Sequence, residues 1–449
     1  MYKYKFLILT LLFAASTAVS LGANFYVRKG ATGANNGSDW TNAWNEMSQI
    51  NFSAVGCGDT IWIAGGTYTT SLNVNKTCTS SSVLNINRVL ASDAAPAAAA
   101  GWNKDYDSQV IISNANINLA AGAYYTINGR EGSISGDNFG ISVQCTSSGG
   151  CDGVDGAGSG SLSNITLSYV ELFGPPCVMS ESCGGSGASG LNVAPGSNTV
   201  NTLIFDHGWI HQYGEAIRTS NWSNCTIQYS GISDMHNDGQ QHEDVVFSYP
   251  ITNFTMRYNK IWGSPNDGIF FFGDEKNTQI YGNVYYHSGA ALITFYEGYT
   301  HNVFIYNNVF ENDGTFGDYQ PAWLDFSGTM TGEIANNVWE NVNKNGECPI
   351  CDTNAYNLSS NVSGETGAFT YTPGSQFVSE SPSLPAAADF HLTATGATTF
   401  GKGKTLAAPF NVDPDGNTRG SGGSWDVGAY QYAPSNAPAP PTALTGVVK

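Results

Sequence analysis

Short apolar runs that alternate with polar residues recur between Asn221 and Asn312. The copies read NWSNCTIQYSGI, ITNFTMRYNKIW, KNTQIYGNVYY and THNVFIYNNVF. Asn259, Asn283 and Asn307 hold the same place in three successive copies, spaced 24 residues apart. Period-2 alternation that repeats every roughly 20 to 30 residues, without a helical pattern, predicts a solenoid of β-coils in which each coil buries its inner face against its neighbours.

The two ends of this repetitive region carry segments of their own. FYVRKGATGANNGSDWTNAW and GDTIWIAGGTY precede it, and DPDGNTRGSGGSWDVGAYQY follows it. Together with the coils, these segments resemble the right-handed parallel β-helix proteins of the pectate-lyase-like superfamily. The resemblance implies an all-β fold, a single-stranded right-handed parallel β-helix with coils of about 22 to 30 residues. It also implies an outer-face ladder of amide hydrogen bonds through Asn259, Asn283, Asn307 and Asn336.

The chain divides into three parts. Residues 1–23 combine Lys3 and Lys5 with the apolar run FLILTLLFAA and small residues near a cleavage point, which predicts a secretory signal peptide; the run is too short to span a bilayer. Residues 24–432 are expected to form one β-helix domain. Residues 433–449 form a Pro-rich tail. We therefore expect a secreted protein, outside the cell, at its surface or in a periplasm, with no membrane insertion.

The charge balance limits the partners. A net charge of −19 with only 17 Lys and Arg excludes nucleic acid, whose phosphates need a basic surface. The same balance gives a polyanionic substrate no long-range attraction, so any acidic sugar must be met by a local cation. We expect a monomer without an organic cofactor.

Nine cysteines in an exported chain suggest disulfides. Close spacing suggests the pairs Cys57–Cys78, Cys145–Cys151, Cys177–Cys183 and Cys348–Cys351, with Cys225 left as a buried free thiol. Two Gly- and Ser-rich loops, 145–161 and 175–190, each contain one of these pairs. They are either walls of a binding cleft or tolerated insertions.

The strands that follow each Asn turn can be aligned with one another. Their apolar residues Ile217, Val246, Ile269, Ile293 and Leu324 fall in one column and should point inward. Just before them, Glu215, Asp244 and Asp267 form a column of acids about 4.8 Å apart from coil to coil. Such carboxylates repel, so they should hold a cation, for which Ca²⁺ suits the oxygen ligands, share a proton, or point apart into water. The alternative is that Asp267, before a glycine, only forms a turn.

The coil that carries Asp244 has an insertion, DMHNDGQQHED, which is the densest group of titratable residues in the chain. His236, Asp238, His242 and Glu243 lie in it, and His242 could share a face with Asp244. We read it as a catalytic or substrate-binding loop. A surface turn without a function stays the alternative, and the spacing matches no HExxH-like metal pattern.

Arg218 opens a second, outward column that continues through Phe247, Phe270, Thr294 and Asp325. Ser220, Tyr249, Phe272 and Tyr296 form a third column two positions further on. Aromatic rings on the outside of a solenoid either stack on sugars or are covered by a flanking loop. The candidate substrate-binding residues are Tyr249, Phe270, Phe272, Tyr296, Asp238 and His236.

Three functions fit these residues. In the lyases of the superfamily, a cation or Arg neutralises a uronate carboxylate, a base removes the C5 proton and the 4-linked sugar leaves. The resemblance maps Ca²⁺ onto Glu215, Asp244 and Asp267, the carboxylate onto Arg218, and the base onto His242 with Lys276 in reserve.

A glycoside hydrolase would use paired carboxylates on the same face. A non-catalytic adhesin would hold glycans on the aromatic columns. We favour the lyase over the hydrolase and the adhesin.

Overall fold

The computed structural model describes the parts of the chain that form the solenoid and the segments packed on it. These are residues 22–132, 139–147, 150–156, 160–175, 187–193, 196–236, 244–264, 268–288, 292–311, 323–325, 327–340, 343–345, 350, 357–359, 369–370, 376–380, 387–393, 401–420 and 425–432. Within them, no helix has the length and apolarity to cross a membrane. The predicted signal peptide, apart from its last residues, and the predicted tail lie outside the described residues.

Parallel strands stack in three columns, here called faces A, B and C, and the chain visits them in that order in each coil. Face A contains Asn24–Val27, Thr60–Ile63, Leu84–Arg88, the end of Ile117–Asn128, Leu162–Ser168, Val200–Asp206, Trp222–Ser223, Thr226–Gln228, Ile251–Thr252, Thr255–Arg257, Glu275–Tyr281, Thr300–Tyr306 and Thr329–Ala335. Face B contains Gly66–Tyr68, Val110–Ser113, Ile141–Gln144, Val170–Phe173, Trp209–His211, Gly231–Ser233, Lys260–Trp262, Val284–Tyr286, Val309–Glu311, Val338–Glu340, Leu358–Ser359 and Phe369–Thr370. Face C contains Leu72–Thr77, the start of Ile117–Asn128, Val154–Asp155, Ser189–Val193, Glu215–Thr219, Val246–Ser248, Ile269–Phe271, Ile293–Phe295, Trp323–Asp325 and Asn343–Asn345. The fold is thus the predicted right-handed parallel β-helix.

The period-2 pattern produces this architecture because each strand turns alternate residues inward. Ile217, Val246, Ile269 and Ile293 are in register on face C and are buried to 0 or 1% exposure, as predicted. Coils between Gly208 and Asn337 are 22 to 29 residues long. Several earlier coils are longer, with 41 residues between the register partners Asn85 and Thr126. The extra length includes the one-turn helix Ala94–Ala97 and the 3-10 turn Lys104–Tyr106.

The turn between faces A and B carries the asparagine ladder, but its residues differ from those predicted. Asn259 donates to Asn283, Asn283 to Asn308 and Asn308 to Asn337, at 2.9 to 3.0 Å. These four side chains are 0 to 2% exposed and therefore line the interior, not the outer face. The predicted contact between Asn307 and Asn336 is present, with the Asn336 amide donating to the Asn307 side-chain oxygen at 3.1 Å. The expectation that these two continue the ladder of Asn259 and Asn283 is wrong, because the pattern NN leaves the register open by one residue.

Asn307 and Asn336 instead hold the C-terminal segment against the outside of the solenoid. The Asn307 amide donates to the Phe410 carbonyl at 3.1 Å, and the Asn336 amide donates to the Lys404 carbonyl at 2.8 Å. Leu406 and Phe410 pack against tyrosines of face A and its following turn. The hairpin Phe377–Ser379 and Asp389–Leu392, with residues 425–430, covers apolar side chains of face B. The segment predicted to close the chain therefore runs along the side of the coils.

The disulfides Cys57–Cys78 and Cys145–Cys151 are present, and Cys225 is a buried free thiol, all as predicted. The predicted pairs Cys177–Cys183 and Cys348–Cys351 lie outside the described residues.

Candidate active site

Four polar residues occupy the point at which successive strands of face C begin: Asp152, Ser189, Glu215 and Asp244. Ser189 pairs with Glu215, and the pairing of Ile217 with Val246 places Asp244 beside Glu215. On the other side, Leu191 pairs with Val154, so Asp152 lies beside Ser189. The column of acids predicted from Glu215 and Asp244 thus has a further acid, Asp152, two coils before Glu215.

Glu215 and Arg218 form the centre of this group. The Glu215 carboxylate is buried, with 2% of its side chain exposed, and its Oε2 accepts a hydrogen bond from the Ser189 hydroxyl at 3.2 Å. The same Oε2 lies 3.7 Å from Nη1 of Arg218, whose side chain is 30% exposed. The Arg218 guanidinium also lies over the Phe247 ring, 5.7 Å from its centroid. Arg218 is therefore anchored on its inner side by a carboxylate and a ring while part of the guanidinium faces solvent.

Asp152 is held beside this pair by the loop that precedes it. Its carboxylate accepts the Ser189 backbone N–H at 2.7 Å and the Asn192 amide at 2.9 Å. Burial raises the pKa of Asp152 and the negative charge of Asp155 adds to this, whereas the two hydrogen bonds and the charge of Arg218 oppose it. The Cys145–Cys151 disulfide, with a Cα–Cα distance of 5.2 Å, pins the chain one residue before Asp152. The sequence analysis missed Asp152, although this acid directly follows Cys151, the second cysteine of a predicted disulfide.

The aromatic residues lie next to Arg218 along the same outer surface. Arg218, Phe247, Phe270 and Thr294 are in register, as the alignment predicts, and the backbone of Asp325 continues the column. Phe272 lies within 6 Å of the rings of Phe247, Tyr249, Phe270 and Tyr296, centroid to centroid. Phe247 and Phe270 are only 7 and 6% exposed, so they mainly support the patch. Tyr296 is 43% exposed and offers a ring to a ligand.

The other predicted site residues are dispersed or fall outside the described residues. Asp238, His242 and Asp267 are among the latter. His236 is 3% exposed, and its backbone N–H donates to the Tyr213 carbonyl at 3.1 Å. Lys276 is exposed on face A, where its backbone pairs with Thr252, beyond the corner at the end of face C. The structure thus brings together Glu215, Arg218 and Asp244, adds Asp152, and places Lys276 on a different face.

The predicted Ca²⁺ site has two of its three ligands in adjacent coils, Glu215 and Asp244, and its third outside the described residues. Within the described part of the chain, no three His, Cys, Asp or Glu side chains are grouped so as to hold a metal ion. Arg218 already places a positive charge against Glu215. Ca²⁺ at this position stays a prediction.

Glu275 and His301 form a second acid–base contact on face A, one coil apart in register. His301 Nδ1 hydrogen-bonds to Glu275 Oε2, and Nε2 hydrogen-bonds to the Tyr296 carbonyl at 3.1 Å. A carbonyl oxygen only accepts a hydrogen bond, so His301 Nε2 carries a proton. A second proton lies in the hydrogen bond between His301 Nδ1 and the Glu275 carboxyl group. Burial raises the pKa of Glu275 to about 7, although the hydrogen bond and charge of His301 oppose the shift. Both side chains are fully buried, so this pair supports Tyr296 and does not meet a substrate.

Comparison with known structures identifies the fold. The protein is similar to pectate lyase Pel9A, with a TM-score of 0.53 and 14% identity over 92% of this chain and 98% of that one. Weaker likenesses link it to the GH136 lacto-N-biosidase from Eubacterium ramulus, with a TM-score of 0.40 and 10% identity over 69 and 68% of the two chains, and to a rhamnogalacturonan lyase, with a TM-score of 0.37 and 8% identity over 84 and 97%. No protein-family model and no curated protein matches the chain. The likeness to Pel9A confirms a pectate-lyase-like parallel β-helix, and identity this low shows the fold alone.

Proposed function

We propose that this protein is a secreted enzyme that cleaves a uronate-containing polysaccharide by β-elimination on the outer surface of face C. The observation that carries the proposal is the partly exposed Arg218 guanidinium, held 3.7 Å from buried Glu215 beside a patch of aromatic rings. A guanidinium can bind a carboxylate through two parallel hydrogen bonds. Tyr296 and its neighbours would hold an adjoining sugar ring. Two disulfides fit an extracellular setting.

Each residue has a distinct role in this reaction. Arg218 binds the uronate carboxylate and withdraws charge from it, which makes the proton at C5 easier to remove. Glu215, Asp152 and Asp244 position Arg218 through charge and packing. A base takes the C5 proton, the electron pair forms the C4–C5 double bond, and the C4–O bond breaks so that the 4-linked sugar leaves, its oxygen taking a proton from water. His242, in the sequence between His236 and Asp244, is the proposed base, and bound Ca²⁺ would supply further charge neutralisation.

A glycoside hydrolase is the second candidate, because Asp152 and Glu215 are two coils apart. Coils rise about 4.8 Å each, so the two backbones are about 10 Å apart, near the carboxylate separation of inverting enzymes. The pKa of Asp152 is raised by burial, as a general acid requires. In this scheme Asp152 would protonate the leaving oxygen and Glu215 would activate water.

Product analysis separates the candidates. The purified protein is incubated with alginate, pectate, glucuronan and polymers that alternate uronate with neutral sugar, with Ca²⁺ and with chelator. We expect ultraviolet absorbance of 4,5-unsaturated uronates, lost in His242→Ala. Reducing ends without that absorbance would indicate hydrolysis. No new ends on any polymer, together with binding that survives His242→Ala, would leave a non-catalytic glycan-binding protein.

A further inference from the structure

Arg218 is isolated from other positive charges along a long stretch of sequence. It is the only Lys or Arg between Arg130 and Arg257, a stretch that contains twelve Asp and Glu. This stretch supplies the face C strands Val154–Asp155, Ser189–Val193, Glu215–Thr219 and Val246–Ser248, and every loop that leads to them.

The surroundings of Arg218 in the structure are acidic or aromatic. Along the outer column, Asn192 and then Asp155 lie in the two preceding coils, and Phe247 and Phe270 lie in the two following ones. Three residues earlier on the same strand, Glu215 Oε2 lies 3.7 Å from Arg218 Nη1, and the charge of Asp152 interacts with that of Arg218. A sugar next to the one bound at Arg218 therefore meets an amide, a carboxylate or a ring.

The nearest lysines of adjoining strands are directed elsewhere. Lys76, on the first strand of face C, donates to the carbonyls of Phe52 and Val55. Its strand lies four coils before the strand of Arg218, as counted through the register partners Asn73, Asn118, Asp155, Asn192 and Arg218. At 4.8 Å per coil, the two strands are about 19 Å apart. Lys276 lies on face A. Neither lysine provides a second binding site for a substrate carboxylate beside Arg218.

We infer that the site selects polysaccharides in which single uronates are separated by neutral sugars, and discriminates against continuous polyuronates. The inference rests on the proposed function and specifies its substrate class. One carboxylate is neutralised by Arg218, whereas a carboxylate on an adjoining sugar would face the acids Asp155 and Asp152, and the stretch between Arg130 and Arg257 has no second Lys or Arg to offset them. The half-buried amide of Asn118 suits sugar hydroxyls instead.

The test compares polymers that share a uronate but differ in charge spacing. For galacturonate and for glucuronate, the homopolymer and a polymer alternating with a neutral sugar are assayed at subsaturating concentration, with a homogalacturonan series of rising methyl-ester content. We expect rates at least about 10-fold higher on an alternating polymer, and a maximum at intermediate esterification. Raising salt should increase the rate on homopolymers, because it screens repulsion. Highest activity on the unesterified homopolymer, falling with salt, would overturn the inference.

A charge variant provides the internal control. Asp155→Asn removes one negative charge without changing side-chain size, and we expect it to raise the ratio of homopolymer to alternating-polymer rates about 3- to 10-fold. Asp105→Asn, in the 3-10 turn of an early coil, should leave that ratio unchanged. An unchanged ratio in Asp155→Asn contradicts the inference. If no polymer is cleaved, the proposed enzyme fails, and affinity electrophoresis on the same polymers still tests selectivity: stronger retardation by homopolymers overturns it.

Discussion

At the scale of single residues, burial decides which side chains of the aromatic and acidic columns are available for chemistry. Phe270 and Tyr296 lie in contact, 6.0 Å between ring centroids, yet one is 6% and the other 43% exposed. The sequence alignment treats the two residues alike, since both are aromatic and both fall in outward columns. Substitution of Phe270 should therefore affect mainly stability, and substitution of Tyr296 should affect mainly polymer binding.

We expect Phe270→Ala to lower the free energy of unfolding by about 3 kcal/mol, because it leaves a cavity among packed rings. Tyr296→Ala should cost less than about 1 kcal/mol but weaken polymer binding several-fold, since an exposed ring mainly serves a ligand. Chemical denaturation and affinity electrophoresis measure the two effects. Equal loss of stability in both variants, with unchanged binding, would contradict this assignment.

The Glu275–His301 pair predicts a pH effect with a defined sign. The pKa of Glu275 is raised from its usual 4.5 to about 7 in the folded protein, so the protonated form is favoured there. The stability it contributes is complete below pH 4.5 and is lost as pH rises through 7, by an amount on the order of 1 to 3 kcal/mol. Glu275→Gln should flatten the fall in unfolding free energy between pH 5 and 7.5. Glu297→Gln, at an exposed site in the next coil, is the control and should keep the wild-type slope.

At the scale of elements, the interior asparagine ladder ties each turn to the next. Asn283 accepts the Asn259 backbone N–H at 2.9 Å and donates to the Met256 carbonyl at 2.9 Å, so its removal leaves buried backbone groups unpaired. Asn302 makes similar bonds at the surface, to the Asn277 N–H and the Thr331 hydroxyl. The two residues differ mainly in access to water.

Asn283→Ala should therefore destabilise the protein by about 2 to 4 kcal/mol, while Asn302→Ala should cost less than about 1 kcal/mol because water replaces its partners. Urea unfolding of the two variants checks the difference. A loss below 1 kcal/mol in Asn283→Ala would show that the ladder contributes little to the stability of the coils.

The ladder also shows how far sequence reasoning reaches. Alternation and repeat length predict the coils, the inward apolar column and the register of Arg218 with Phe247 and Phe270, because these follow from local periodicity. In Asn307-Asn308, the equal spacing of 24 residues favoured the first residue, yet a coil of 25 residues brings Asn308 to Asn283. Asp152 was missed because it ends an aperiodic Gly-rich loop, and only the register reveals its neighbours.

At the scale of the whole molecule, the described residues of the C-terminal segment pack on the outer surfaces of faces A and B. No periodicity marks these long-range contacts, so the sequence could not show them. His391 anchors the segment: its Nδ1 lies 2.5 Å from Asp389 and its Nε2 lies 2.6 Å from Asp415, and the centroid of the tilted Tyr430 ring lies 4.0 Å from that of the imidazole. Burial opposes protonation, but hydrogen bonds to both carboxylates raise the pKa of His391 to about 9.

This contact should stabilise the docked segment fully below pH 6.5 and lose its effect as pH rises through 9, because the folded pKa of His391 is the higher one. The imidazole is 43% exposed, so solvent screening keeps the contribution to about 1 kcal/mol or less. We expect His391→Gln to lower the melting temperature at pH 6.5 and to match the wild type at pH 10. A difference that persists unchanged at pH 10 would contradict an electrostatic role.

The central claim, that chemistry takes place around Arg218 on face C, is tested most directly by the initial rate of unsaturated-uronate formation in three variants. Arg218→Ala should reduce the rate at least about 100-fold, while Arg218→Lys, which keeps a positive charge beside Glu215, should fold like the wild type and retain a small fraction of the rate. Lys104→Ala, an exposed cation of an early coil, should be fully active. Wild-type rates in folded Arg218→Ala and Arg218→Lys would place the reaction elsewhere and contradict the account.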